Sequence, residues 1–311
     1  MSPTPTRIAA VQAAPVYLDL GRSVEKAVAL IAQAAREGAR LVAFPELWLP
    51  GYPWWVWLDE AAWAERQGLA QRYREQAFAF GGEAERAIAA AAREHGLLVL
   101  MGVAERESSQ LYITQWLVDE AGRTVFRRRK LKPGPLERRI FDEGGARDLR
   151  VADTAIGRVG ALACAEHRHT LLKHALHVQS EDLHVASWPG FALARTPGML
   201  SPETFLAISR TYAVEGGCYV LAPCAPVTAE VRALLCDTPA KAERLLAGGG
   251  YAQIFAPDGE ALCAPLAPDA EGLLLAQVSP AAVAQARQGF DLAGHSARAD
   301  VVQLTTQEGT A

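Results

Sequence analysis

"GRVGALACAEHRH" occupies residues 157–169 and carries an apolar run straight into a polar cluster. The run has the length and composition of a buried strand. It ends on one cysteine, Cys164, with Glu166, His167, Arg168 and His169 directly after it. Three readings of that cysteine are open: a core thiol, a metal ligand beside two histidines, or a nucleophile. The strand itself is one of a series. RIAAVQ (7–12), RLVAF (40–44), LLVLMGVAE (97–105), 111–119, 123–128, HVASWP (184–189) and 218–222 are further runs of strand length. Three more strands are expected in the tail around the turn at 257–259.

Helical patterns separate these runs. Residues 23–37 place Val24, Ala27, Val28, Ile31, Ala34 and Ala35 at helical spacing, with Ser23 as expected N-cap and Gly38 as stop. Residues 70–95 are helical with a break at Gly81-Gly82, 166–179 are helical with Leu171, Leu172, Ala175 and Leu176 inward, and 202–215 are helical. Residues 130–145, rich in Gly, Pro and charge, read as a loop. Strands alternate with helices without a linker or a change of composition. That pattern predicts one α/β domain over 1–311, core about 7–302 with frayed ends, its helices covering both faces of layered sheets.

The bulk numbers narrow the function classes. Half of the 311 residues are apolar and 21% are charged, and the net charge is −4. Nucleic-acid binding would show as a basic excess, so no nucleic-acid partner is expected. No stretch approaches the ~20 apolar residues of a membrane span, and the first residues lack the pattern of a secretory signal. Five cysteines, all after residue 163, do not form a disulfide framework. A soluble cytoplasmic protein is the expectation.

Three strand ends carry residues that do chemistry. Glu46 follows RLVAF, Lys130 follows TVFRRR, and Cys164 follows VGALA. Parallel neighbouring strands would bring these ends together. A free thiol has a pKa of ~8.5, so it needs a base to attack at neutral pH. A carboxylate serves as that base, and an ammonium favours the thiolate and protonates the attacked group. Cysteine, glutamate and lysine therefore suffice to attack an electrophilic carbon bonded to nitrogen. The bare trio is a weak signal, because most chains of this size contain one.

The surrounding segments are more specific. FPELWLPGYPWWVWL (44–58), RRRKLKP…ER (127–138), GRVGALACAEH (157–167), HVASWPG (184–190) and GGGYAQIFAPDG (248–259) stand in the order and spacing of one family. The chain resembles the nitrilase branch of the nitrilase superfamily from about Arg7 to Val302, including the closing GHSARADVV. The resemblance implies a four-layer α-β-β-α sandwich. It implies Glu46 as general base, Lys130 as catalytic lysine, Cys164 as nucleophile, and Glu137 as the residue that positions Lys130 and water. It implies hydrolysis of a small nitrile through a thioimidate and a thioester, with no metal and no cofactor. It also implies a homo-oligomer built from dimers, extending in some relatives to helical filaments. An amidase with the same trio and a catalytically silent scaffold are the alternatives.

Three positions depart from that branch. Ala165 stands where a tryptophan is usual, Gly134-Pro135 follows Lys132-Pro133 where Thr-His is usual, and Ile113 replaces a common asparagine. The first opens volume beside Cys164, and the second re-aims the loop that carries Glu137. A bulky or aryl nitrile is the expected substrate. Trp188, Trp54, Trp55 and Ala165 are the expected pocket residues, with core or subunit interface an equal reading for Trp54 and Trp55 and the better one for Trp63.

The remaining polar residues have plainer readings. Zinc on Cys164, His167 and His169 is disfavoured, because the two histidines would point about 200° apart on a helix. His174 and His177 are expected to be solvated, and His184 to be a satisfied core histidine. Cys218, Cys224, Cys236 and Cys263 read as packing residues. Residues 127–129 read as a solvated or interface face, and 248–250 as a tight turn.

Overall fold

The computed structural model describes residues 5–58, 61–194 and 201–306; the expected frayed ends at 1–4 and 307–311 lie outside the described residues. Two sheets form from the predicted strands. The first contains β1 (Thr6–Gln12), β2 (Ala39–Ala43), β3 (Leu98–Glu107), β4 (Gln110–Val118) and β5 (Thr124–Arg129), with strand order β11-β1-β2-β3-β4-β5 once β11 (Gly272–Val278) is added. The second, in the order β10-β9-β8-β7-β6, contains β6 (Ala152–Thr154), β7 (Gly157–Ala163), β8 (Leu183–Ser187), β9 (Tyr219–Ala222) and β10 (Gln253–Phe255). β1–β2–β3 and β7–β8–β9 run parallel, and the outer strands of both sheets are antiparallel.

The sheets pack face to face. Ile8, Leu41, Leu100 and Leu117 of one share a core with Val159, Ala161, Val185 and Leu221 of the other. The outer face of the first sheet, with Ala9, Val11, Val42, Val99 and Met101, packs on α1 (Leu20–Arg36) and α4 (Glu83–His95). The second sheet is covered by α5 (Thr170–His177) and α6 (Pro202–Gly216), through Leu176, Phe205 and Tyr212. This is the α-β-β-α sandwich. Each large side chain withdrawn from water contributes ~1.5–3 kcal/mol against the entropy of folding. Shorter helices α2 (Ala61–Arg66), α3 (Leu69–Glu75), α7 (Ala229–Leu235) and α8 (Pro239–Arg244) cap one end, and α9 (Pro280–Gly289) follows β11.

Several local expectations are corrected. α1 starts three residues before Ser23: Asp19 is the N-cap, accepting from Arg22 N, while Ser23 Oγ donates to the Val16 carbonyl. The segment after Cys164 is not one helix. A 3₁₀ turn over Cys164–Arg168 precedes α5, which leaves Leu171 65% exposed and turns His177 into the core beside Tyr212. The tail holds two strands, because the third segment forms only a bridge between Phe255 and Ala261. Arg127 and Arg129 lie over Phe80 and Tyr112 and pair with Glu105, whereas Arg128 is fully buried.

Candidate active site

Cys164 sits where β7 breaks off. Its φ is 45°, in the left-handed region, which costs a non-glycine residue ~1–3 kcal/mol and persists only when its surroundings hold it. Glu166 supplies that hold. Its Oε2 accepts from Ala163 N at 2.9 Å, and its Oε1 accepts from Leu131 N at 2.9 Å and from Arg128 Nη2 at 2.6 Å. Arg128 Nη1 donates to Gln115 Oε1 at 3.0 Å, and Gln115 Nε2 donates to the Leu162 carbonyl at 3.1 Å and Ser187 Oγ at 2.9 Å. A buried polar chain thus bolts β4 and β5 of one sheet to β7 and β8 of the other. It fixes the turn at Cys164 against the strand that ends at Lys130.

The expected trio does not meet as parallel neighbours. β2 and β5, which lead to Glu46 and Lys130, belong to the first sheet with two strands between them, and β7 belongs to the second. The residues converge across the sandwich. Glu46 crosses the gap through its backbone, donating its N–H to the Trp188 carbonyl at 3.1 Å. The loop at Glu46 lies flat on β3 at Gly102, where a Cβ would come within 2.0 Å of the Pro45 carbonyl oxygen. Lys130 N donates to the Ile113 carbonyl at 2.7 Å.

Side chains complete the cluster. Lys130 Nζ donates to Glu46 Oε1 at 2.7 Å and to Glu137 Oε2 at 2.8 Å. Glu137 also accepts from Tyr52 Oη at 2.8 Å and from Gly134 N at 2.6 Å. A Cβ at residue 134 would stand 3.2 Å from the Glu137 carboxylate, so the Gly-Pro departure brings the backbone N–H close to that acid. Glu46, Lys130 and Glu137 are all buried, and among the described residues Glu46 Oε2 has no hydrogen-bond partner.

Burial sets the proton affinities. It raises Glu46 to about 8, an effect opposed by Lys130 and reinforced by Glu137. Burial pushes Glu137 the same way, but Lys130, the Gly134 N–H and the Tyr52 hydroxyl hold it below its ordinary value. For Lys130, burial alone would favour the neutral amine, and the charges of Glu137 and Glu46 hold it well above its ordinary value. Burial and the Glu46 charge raise the Cys164 thiol well above its ordinary value, with Lys130 pulling the other way. The lysine does favour the thiolate, as expected, but is outweighed. The cluster rests as a neutral thiol, an ammonium, a firmly ionised Glu137 and a carboxylate poised near neutrality.

Cys164 opens on a cavity of about 300 Å³ with walls that include Tyr52, Trp54, Trp57, Pro135, Ala165, Pro189, Phe191 and Leu193. Glu137 and Arg168 also reach it. Of the expected pocket residues, Trp54 and Ala165 line this cavity. Trp55 and Trp188 do not. Trp55 packs edge-on against Tyr73, and Trp188 lies beneath the site, stacked on His167 with its Nε1 donating to Ser209 Oγ at 3.2 Å. Tyr52, the partner of Glu137, was not singled out from sequence although it lies in the quoted LPGYP segment.

A second polar chain lies behind Cys164. His167 Nδ1 is 2.9 Å from the Cys164 carbonyl, His167 Nε2 is 2.9 Å from His184 Nε2, and His184 Nδ1 is 2.9 Å from Glu181 Oε2. Tyr212 Oη donates to Glu181 Oε1. Proton counting fixes the directions. The carbonyl only accepts, so His167 Nδ1 carries the proton, and burial keeps both imidazoles neutral. His184 must then donate from Nε2 and accept at Nδ1, which requires a protonated Glu181. Burial raises Glu181 to about 7. Among the described residues, no group of three or more His, Cys, Asp or Glu is placed to hold a metal ion.

A family model for carbon-nitrogen hydrolases matches residues 7–288. The chain is 49% identical over 301 residues to a nitrilase of Pseudomonas syringae pv. syringae (strain B728a), covering 96% of this chain and 89% of that protein. It is 41% identical over 299 residues to an aliphatic nitrilase of Rhodococcus rhodochrous, covering 96% and 81%. The fold matches the crystal structure of the C. elegans NitFhit protein with a TM-score of 0.73 at 19% identity, over 100% of this chain and 69% of that one. The chain belongs to the carbon-nitrogen hydrolase family, within its nitrilase branch.

Proposed function

We propose that this protein is a nitrilase that converts a small nitrile to the carboxylic acid and ammonia with Cys164 as nucleophile. The observation that carries this reading is Glu46, whose Oε1 accepts from Lys130, whose Oε2 has no hydrogen-bond partner among the described residues, and whose charge acts on the thiol of Cys164, the residue that opens on the apolar cavity. Close relatives named as nitrilases support it.

The geometry gives each group a task. Glu46 takes the thiol proton as Cys164 Sγ adds to the nitrile carbon, and Lys130 donates a proton to the nitrile nitrogen, giving a thioimidate. Lys130 is reprotonated through Glu46, to which it is hydrogen-bonded. Water adds to the thioimidate carbon, its proton passing to Glu46. The nitrogen takes that proton from the Glu46–Lys130 pair, the new hydroxyl passes its own proton to the same nitrogen through the pair, and the carbon–nitrogen bond breaks to release ammonia and leave the thioester. A second water, again deprotonated by Glu46, cleaves the thioester, and the departing sulfur regains its proton. Glu137, firmly ionised, keeps Lys130 charged and aimed. Every proton lost in addition returns in elimination, so the residues end as they began.

The deciding experiment is ammonia release from paired nitriles and amides, with EDTA present, by wild type and Cys164→Ala. Release from nitriles that the substitution abolishes and EDTA leaves unchanged is the expected result. Release from amides alone would move the protein to the amidase side, and silence across a broad panel would favour the scaffold alternative.

The same reading covers organisation. Residues 1–311 act as one hydrolase domain in the cytoplasm, where five free cysteines suit a reducing medium. The protomers associate as homo-oligomers: Leu171, Val178 and Val214, on or beside α5 and α6, are exposed apolar residues suited to a subunit contact. Light scattering that returns the monomer mass would overturn this.

A further inference from the structure

We infer that the nitriles this protein prefers carry an anionic group, such as a carboxylate, at the end remote from the cyano carbon. The inference deepens the nitrilase reading and rests on it for the identity of the reacting group. A second cavity adjoins the one at Cys164 and shares Gly134, Pro135, Ala165 and Arg168 with it. Its other lining residues are Lys132, Pro133, Arg138 and His169. Three cations and an imidazole meet there and no acid lines it, in a chain whose net charge is −4.

Of the three cations, only Lys132 is engaged in an ion pair among the described residues. Lys132 pairs with Glu143 at the surface. Among the described residues, neither Arg138 nor Arg168 has a carboxylate or other side-chain partner. Guanidinium groups without an internal partner beside an apolar cavity form a recognition site for a carboxylate or phosphate. The junction depends on residue 165. With only a methyl at that position, the two cavities border the same residue, whereas an indole there would occupy the space between them.

Charge along this path gives a substrate one orientation. At the inner end, two carboxylates and one ammonium surround the thiol, and burial has raised one of those carboxylates to about 8. An anion gains nothing there. At the outer end it meets Arg168 and Arg138. The first cavity has Tyr52, Trp54 and Phe191 among its walls, which suit a planar or hydrocarbon spacer. The cyano group is therefore directed inward and the anion outward.

The test compares para-(cyanomethyl)benzoate with its methyl ester, which has nearly the same shape and no charge. One charge-assisted contact corresponds to about tenfold. Wild-type kcat/KM should favour the anion by about tenfold at low salt, less at high salt. The ratio of the two kcat/KM values should fall at least about fivefold in Arg168→Gln and in Arg138→Gln, and Arg138→Lys should recover part of it. Equal or better use of the ester, or substitutions that lower both substrates alike, would overturn the inference. Calorimetric binding of both compounds to Cys164→Ala separates this from the nitrilase reading. Tighter binding of the anion without turnover of either nitrile by wild type would refute the chemistry and leave the anion site standing. Equal binding would remove the anion site whatever the turnover.

Discussion

Two buried acid clusters meet at Cys164, and they behave in opposite ways. Glu46, Lys130 and Glu137 form one, and Glu137 lines the cavity with Cys164; Glu181, His184, His167 and Tyr212 form the other, which runs to the Cys164 carbonyl. Both are dry, and both hold a glutamate raised towards neutrality by burial. In the rear chain each described polar atom has a partner, so its protons are committed to holding the backbone. In the front cluster one oxygen of Glu46 has no partner among the described residues. Burial alone does not make an acid reactive. An unsatisfied lone pair beside a nucleophile does, because it can take a proton without first breaking a bond that the fold needs.

The sharpest way to break this comparison is to remove the proposed base. Glu46→Gln keeps shape and burial but cannot take a proton from sulfur, so kcat for ammonia release should fall by about 10³-fold or more. Tyr212→Phe, in the rear chain, should cost only about 1 kcal/mol of stability and change kcat little. Comparable activity losses in the two variants would show that both clusters take part in the chemistry.

Glu166 ranks next. It is fully buried, pairs with Arg128, and holds two backbone N–H groups. Glu166→Gln leaves the Arg128 guanidinium charged and buried without its carboxylate, a loss on the order of 3 kcal/mol. Thermal unfolding should show a Tm several degrees below wild type, with Cys164→Ala as the control that leaves the clamp intact. A Tm equal to wild type would mean that the strained turn holds without the clamp.

Glu166 also marks the limit of what the sequence discloses. The strand ends at Glu46, Lys130 and Cys164 were legible because each terminates a continuous apolar run or a tract that must leave a sheet. Their meeting was not, since it depends on which sheet each strand joins, and the expected parallel neighbours became a convergence across two sheets. Three consecutive arginines at 127–129 offer no alternation of polarity, so nothing in the letters says that the middle one faces inward. His177 read as solvated because the ring that covers it, Tyr212, lies 35 residues away. Among the tryptophans, 54–57 form a 3₁₀ turn, where neither helical nor strand periodicity assigns a face.

The acid limb of the rate profile tests the front cluster more finely. In the proposed mechanism Glu46 must be ionised to act as base, and burial raises its proton affinity to about 8. The value of kcat/KM should therefore increase with pH through the neutral range, reach half its limit at about pH 8 and level off above it. Glu137 adds to that rise through its negative charge, so Glu137→Gln should move the limb to lower pH, alongside a lower maximum from a less firmly held Lys130. A limb in the ordinary carboxylate range, unmoved by the substitution, would assign the titration to another group.

The smallest expected effect is the most specific to the rear chain. Glu181 is raised from 4.5 to about 7, so the folded state binds its proton more tightly than the unfolded state does. Its contribution is complete below the unfolded value and is lost as pH rises through about 7. A glutamine at this position mimics the protonated acid permanently. Its amide N–H donates to His184 Nδ1 and its carbonyl accepts from Tyr212, so the direction of the chain to the Cys164 carbonyl is unchanged. Glu181→Gln should match wild type near pH 5 and be the more stable protein at pH 8, by at most ~3 kcal/mol. The histidines titrate in the opposite sense. Burial lowers their proton affinity, so their contribution is lost as pH falls below about 6.5, in both proteins alike. The difference between the two unfolding curves across pH therefore isolates one proton. If wild type is the more stable protein at pH 8, Glu181 is ionised in the native state, His184 carries the extra proton instead, and the rear chain is an ion pair.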